Sequence, residues 1–141
     1  MRVSASYAPS GSAVAVYFKG MAKSNFVHIG NVSLSATGNT IAHRRGLEVQ
    51  FSGNASEIEV KTQDLQVANS TAESGGGAFL LFTDHCTLNE VVLWNSIFTN
   101  HSSKHGGGLF VLFQGCSQNN SISLQDMYVE NNTAELGAGI L

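Results

Sequence analysis

The sequence predicts an all-β fold, a right-handed parallel β-helix (a solenoid) with about 31 residues per coil. Three observations predict it. A glycine-led apolar segment recurs at a fixed step: Gly75-Gly76-Gly77-Ala78-Phe79-Leu80-Leu81-Phe82 returns 31 residues later as Gly106-Gly107-Gly108-Leu109-Phe110-Val111-Leu112-Phe113, and the next step reaches Gly137-Ala138-Gly139-Ile140-Leu141. Within each repeat the period is two, as in Val91 and Leu93 against Val92 and Trp94, or Ile122 and Leu124 against Ser123 and Gln125, which is the pattern of short strands. Charged residues make up only 12% of the chain while glycine numbers 15, a composition poor in helix formers and rich in turn formers. A unit of this size holds about three short strands and cannot bury its apolar row alone, so units stack at the strand spacing of about 4.8 Å into parallel sheets. The general preference for right-handed crossovers sets the expected hand.

In chain order, residues 1–12 read as a poorly defined N-terminal arm. Ala13–Gly20 matches Gly108–Gly115 in frame, and Val27–Leu34 matches Val60–Val67 with a step of 33. Gly46–Phe51 lies one step of 31 before Gly77–Phe82. Val60–Glu90 and Val91–Ser121 share nine identities over 31 ungapped positions. A second block keeps the same step: Val67–Thr71, Phe98–Ser102 and Val129–Thr133. The 141 residues thus form one segment holding parts of five coils. Gly139-Ile140-Leu141 stops where the equivalent strands run on to Phe82 and Phe113, so the segment is expected to belong to a longer solenoid and to present an open strand edge when isolated.

Alternation assigns the faces of the glycine-led strands. Glu48 and Gln50 are costly to bury, so Leu47, Val49 and Phe51 point inward. The same phase puts Ala78, Leu80 and Phe82, then Leu109, Val111 and Phe113, above them. Phe79, Leu81, Phe110 and Leu112 form the outward row, a candidate interface patch of about 300 Å², large enough to call for a covering loop or partner.

Several functions fall away. Net charge is −3 and the pI about 5.9, with seven Lys+Arg and no basic run, which argues against a nucleic-acid partner. The longest apolar stretches, Ala13–Phe18 and Ala78–Phe82, fall far short of the roughly 20 residues of a membrane helix, so this chain contains no transmembrane segment and no clear signal peptide.

The polar columns carry what chemistry there is. Asn31, Asp64, Asn95 and Asp126 fall at one coil position; Asp64 and Asp126, two coils or about 9–10 Å apart, have a spacing that suits an inverting hydrolase, but Asn95 lies between them and the commoner reading is turn formation. Asn69, Asn100 and Asn131 form a second column, read as an amide ladder although each opens an Asn-x-Ser/Thr sequon. Asn54 and Asn119, in loops, are the candidate glycosylation sites. Gln63, Trp94 and Gln125 share an outward column and are the candidate ligand contact, an aromatic face flanked by amides. Of the five histidines, His101 and His105 have metal-ligand spacing but occupy a predicted loop, so no metal site is assigned. Cys86 and Cys116 fall on neighbouring coils one residue out of step, within the Cα range of a disulfide. No catalytic residue or cofactor site is assigned.

The Asn-x-Thr-Ala-Glu-x-Gly-x-Gly pattern of Asn131–Gly139, and its cousin Asn69–Gly77, resemble repeats of the right-handed parallel β-helix proteins of the pectin lyase-like superfamily, most closely the GGA[ILV]/FxxN repeats of chlamydial polymorphic membrane proteins. The FxxN half departs, because Phe98-Thr99-Asn100 is one residue short and Val129–Asn132 lacks the Phe. The resemblance implies the fold and an extracellular or surface location. It is compatible with two functions: a non-catalytic scaffold or binding module for a glycan or protein, which we favour, or a fragment of a polysaccharide lyase or glycoside hydrolase.

Overall fold

The structure, a computed structural model, describes residues 3–4, 14–35 and 46–141. The rest of the expected N-terminal arm, Ala13, His43 and Arg44-Arg45 lie outside the described residues. The strands are, in order, β1 (Val3–Ser4), β2 (Val14–Phe18), β3 (Phe26–Ser35), β4 (Leu47–Phe51), β5 (Glu59–Ala68), β6 (Thr71–Ser74), β7 (Ala78–Phe82), β8 (Glu90–Trp94), β9 (Ile97–Thr99), β10 (Ser102–His105), β11 (Leu109–Phe113), β12 (Ser121–Gln125), β13 (Tyr128–Glu130) and β14 (Thr133–Leu136). No helix occurs among the described residues, and none is long and apolar enough to cross a membrane.

The strands build a parallel β-solenoid of about four turns. A long sheet runs β1-β3-β5-β8-β12 with β9 and β13 beside it; a short sheet runs β6-β10-β14; the glycine-led sheet runs β2-β4-β7-β11. The register reproduces the repeat: Leu47 pairs with Ala78 and Ala78 with Leu109, each 31 residues on. The early step of 33 is also present, as Val14 pairs with Leu47 and Val27 with Val60.

Each coil turns its corners with left-handed residues, and these stack in five columns: Asn31, Asp64, Asn95 and Asp126; Asn69, Asn100 and Asn131; Gly75, Gly106 and Gly137; Gly20, Gly53, Asp84 and Gly115; Ser24, Glu57, Leu88 and Asn119, with φ between 47° and 73°. A left-handed conformation costs a residue with a Cβ roughly 1–2 kcal/mol, least for Asn and Asp, whose side chains bond locally. This explains why glycine and asparagine are abundant and why the Asp64 and Asp126 column is a turn. The glycine triplets combine two demands. Gly75 needs its φ of 65°, whereas a Cβ on Gly77 would stand 2.4 Å from the Gly108 carbonyl oxygen of the next coil and 2.9 Å from His101 Nε2.

The core is a set of ranks along the axis. Leu47, Val49 and Phe51, then Ala78, Leu80 and Phe82, are fully buried, as alternation predicts. Phe18, Phe51, Phe82 and Phe113 stack face to face with centroids 5.2, 4.7 and 4.6 Å apart. Val60, Leu65 and Val67, then Val91, Leu93 and Phe98, close the opposite wall. Two inward corners hold polar ladders that satisfy backbone donors one coil below. Asn89 Oδ1 accepts from the Ile58 amide, and Asn120 Oδ1 accepts from the backbone and side-chain amides of Asn89. At the second corner His101 Nδ1 accepts from the Ser70 amide, and Asn132 Oδ1 from the His101 amide.

Three expectations change in this setting. The inward ladder is not formed by Asn69, Asn100 and Asn131, which are exposed; the left-handed corner turns them outward and brings in the following residues, Ser70, His101 and Asn132. Cys86 and Cys116 are both free. Thr87 pairs with Gln118 at a step of 31, so the buried Cys86 meets Ser117, its Sγ 3.8 Å from Ser117 Oγ, and the exposed Cys116 faces the other way. The outward row of the glycine-led sheet is not uniformly exposed. Phe79 is buried and stacks on Phe110 at 5.5 Å, while Leu81, Phe110 and Leu112 are half-buried. Glu48 in the same row is also buried, its carboxylate taking a hydrogen bond from Gln50.

Candidate functional site

The outer face of the long sheet gathers the exposed chemistry. In β3, β5, β8 and β12 the outward residues align in three columns by register: Phe26, Glu59, Glu90 and Ser121; His28, Lys61, Val92 and Ser123; Gly30, Gln63, Trp94 and Gln125. Strand pairing fixes the backbone of every member, and the buried partners Val60, Val91 and Leu93 anchor the alternate positions.

A shallow groove of about 280 Å³ crosses this face, lined by Glu59, Lys61, Glu90, Val92, Trp94, Ser123 and Gln125. Two of the three sequence-selected contacts, Trp94 and Gln125, line it. Gln63 stands beside Trp94 in the same column, its amide turned to the Asp64 carboxylate at 3.3 Å. Trp94 is 41% exposed. Its indole N–H donates to Asp126 Oδ2 of the next coil at 3.1 Å, which fixes the ring. Gln125 Nε2 donates to Ser123 Oγ at 3.0 Å.

Charge in the groove is acidic around one cation. Lys61 Nζ lies 2.9 Å from Glu59 Oε1. The hydrogen bond and charge of Glu59, with a further contribution from Glu90, hold the Lys61 ammonium above the usual lysine range. Sequence reading missed Glu59, Lys61, Glu90, Val92 and Ser123. The period-two phase that selected Trp94 points to all of them; none stood out as a residue type.

The carboxylates of the Asp64 column are engaged in turn structure. Asn95 Nδ2 donates to Asp64 Oδ1 at 2.6 Å, and Asp126 holds the Trp94 indole. No group of three or more His, Cys, Asp or Glu side chains could hold a metal ion among the described residues. His101 lies inside the coil, away from the groove. Burial pushes its imidazole down to about 4, against the opposing effect of the Val67 and Ser70 backbone. The candidate glycosylation residues Asn54 and Asn119 are exposed. No protein family, curated protein or solved structure matches this chain.

Proposed function

We propose that this chain is a non-catalytic scaffold and binding module of an extracellular or surface-displayed protein. On this reading it is a stretch of a longer right-handed β-helix of the pectin lyase-like type, with repeats akin to those of polymorphic membrane proteins. Its partner is a glycan held on the outer face of the long sheet. The observation that carries the reading is the exposed Trp94 indole fixed at the rim of a groove that also presents carboxylates, an ammonium, an amide and a hydroxyl. A sugar has an apolar C–H face and a hydroxyl rim, which an aromatic surface with polar neighbours complements. Because the strands already hold these side chains, little ordering cost attends binding. Two carboxylates against one ammonium disfavour polyuronates, so the ligands are neutral or amino sugars. The aspartates that a hydrolase would use as acid and base accept structural hydrogen bonds instead, which supports binding over turnover.

Trp94 is the sole tryptophan, so its fluorescence reports the groove directly. Titration with manno-, cello- and chito-oligosaccharides is expected to shift the emission with at least one of them, and Trp94→Ala should abolish binding measured by calorimetry. Polygalacturonate with Ca²⁺ should yield no unsaturated product. Failure of every oligosaccharide to bind, or binding unchanged in Trp94→Ala, overturns the reading.

A further inference from the structure

The column Asn69, Asn100 and Asn131 occupies a left-handed corner with φ of 59°, 57° and 54°. Conformation alone explains an asparagine there, but not the whole pattern. The neighbouring column has the same backbone geometry, φ 47° to 54°, and alternates between Asn and Asp: Asn31, Asp64, Asn95 and Asp126. Two residues beyond those positions stand Ser33, Gln66, Ile97 and Tyr128, with no shared chemistry. In the Asn69 column all three corners keep Asn, and two residues beyond each stands a hydroxyl: Thr71, Ser102 and Thr133. The intervening residue varies freely, as Ser70, His101 and Asn132. Repeats that have diverged to nine identities in 31 retain here an amide, any residue, and a hydroxyl that alternates between Ser and Thr.

The fold makes that triplet accessible. Asn69, Asn100 and Asn131 are exposed, and so are Thr71, Ser102 and Thr133, whereas the middle residue turns into the coil. Thr71 and Ser102 also line a depression of about 430 Å³ on the outer face of the short sheet, with Glu73, Lys104 and Glu135 beside them. This gives a first sugar a polar seat next to the amide.

We propose that this column is an N-glycosylation edge of the solenoid, in addition to Asn54 and Asn119. The inference rests on the extracellular reading above. In the modification the asparagine Nδ2 attacks C1 of an oligosaccharide carried on a lipid pyrophosphate. The N–C1 bond forms, the C1–O bond to the pyrophosphate breaks, the amide loses one proton and the lipid pyrophosphate leaves. Neighbouring corners stand one strand spacing apart, about 4.8 Å, too close for two branched glycans side by side. A glycan on Asn100 therefore excludes one on Asn69 or Asn131, and the column carries two glycans at most.

The test expresses the whole chain behind a cleavable leader in a eukaryotic secretory host. The wild type, Asn54→Gln/Asn119→Gln and Asn69→Gln/Asn100→Gln/Asn131→Gln are compared after enzymatic deglycosylation in ¹⁸O water, with sites mapped by mass spectrometry. The expected result is that the double variant keeps one or two glycans mapped to the column, never on adjacent corners, and that the triple variant loses them. A secreted chain bare at all three corners overturns the column while leaving the extracellular reading intact. The second arm follows the natural full-length gene product with its own N-terminus. Its retention in the cytosol overturns the extracellular reading and the modification together, and its export leaves the first arm decisive.

Discussion

His101 shows how one side chain can decide the pH response of a coil. Its Nδ1 accepts the Ser70 amide proton at 3.1 Å, a role that Asn89, Asn120 and Asn132 perform with amide oxygens at equivalent corners. Protonation removes that acceptor and places a charge in the interior, so the unfolded chain binds the proton more readily than the folded one. The imidazole is lowered from 6.5 to about 4, so its contribution is intact above pH 6.5 and is lost as pH falls toward 4. A shift of that size corresponds to about 3 kcal/mol. Urea unfolding at pH 7.5 and 4.5 should show a loss of that order, and His101→Asn, which keeps an acceptor, should flatten the difference. An unchanged pH dependence in the variant would count against this role. Thr62 is the opposite case. It is fully buried in a row with Ile29 and Leu93, and its hydroxyl has no hydrogen-bond partner. Thr62→Val keeps the shape and removes an unpaired polar group, so the free energy of unfolding should rise by about 1 kcal/mol, read as a higher midpoint of denaturation.

At the scale of the element, what was legible in the sequence was periodic. The alternation of Leu47, Val49 and Phe51 with Glu48 and Gln50 placed the core rank, and the register followed from the glycine-led repeat. The corners were less legible, because a left-handed residue breaks the alternation: the column of Asn69, Asn100 and Asn131 reads as the amide ladder, whereas the corner sends in Ser70, His101 and Asn132. Phe79 was placed on the correct face but not as buried, since cover over a strand depends on segments distant in sequence. The groove was legible only at Trp94 and Gln125; the acid and amine beside them carry no sequence signature apart from strand phase. The glycine triplets make a sharp test of the stacking. Gly77→Ala would drive a methyl into the Gly108 carbonyl, and the expected loss is about 2–4 kcal/mol with the secondary structure retained. Asn89→Ala deletes the acceptor for the Ile58 amide and one of two donors to the Ala55 carbonyl, which still accepts from the Thr87 amide, leaving the buried Ile58 N–H unpaired at a cost of about 1–3 kcal/mol. Both losses are measurable by chemical denaturation.

At the scale of the whole molecule, one feature organises the rest: from β4 onward successive coils are in register at 31 residues, so each side chain meets its repeat-mate. The aromatic stack of Phe51, Phe82 and Phe113, the Asn89 to Asn120 ladder and the outward columns of β5, β8 and β12 all depend on it. The two cysteines offer the most direct measurement. They lie 30 positions apart, one short of the repeat, and Cys86 faces Ser117 rather than Cys116. Moving the second thiol by one residue, as Cys116→Ser/Ser117→Cys, brings it into register. Under mild oxidation, non-reducing mass spectrometry should find the shifted variant cross-linked through Cys86, within the Cα range that a disulfide accepts, while the wild type keeps two alkylatable thiols. A wild-type chain that closes a Cys86–Cys116 bridge while the shifted variant stays reduced would contradict the register, and with it the solenoid as described.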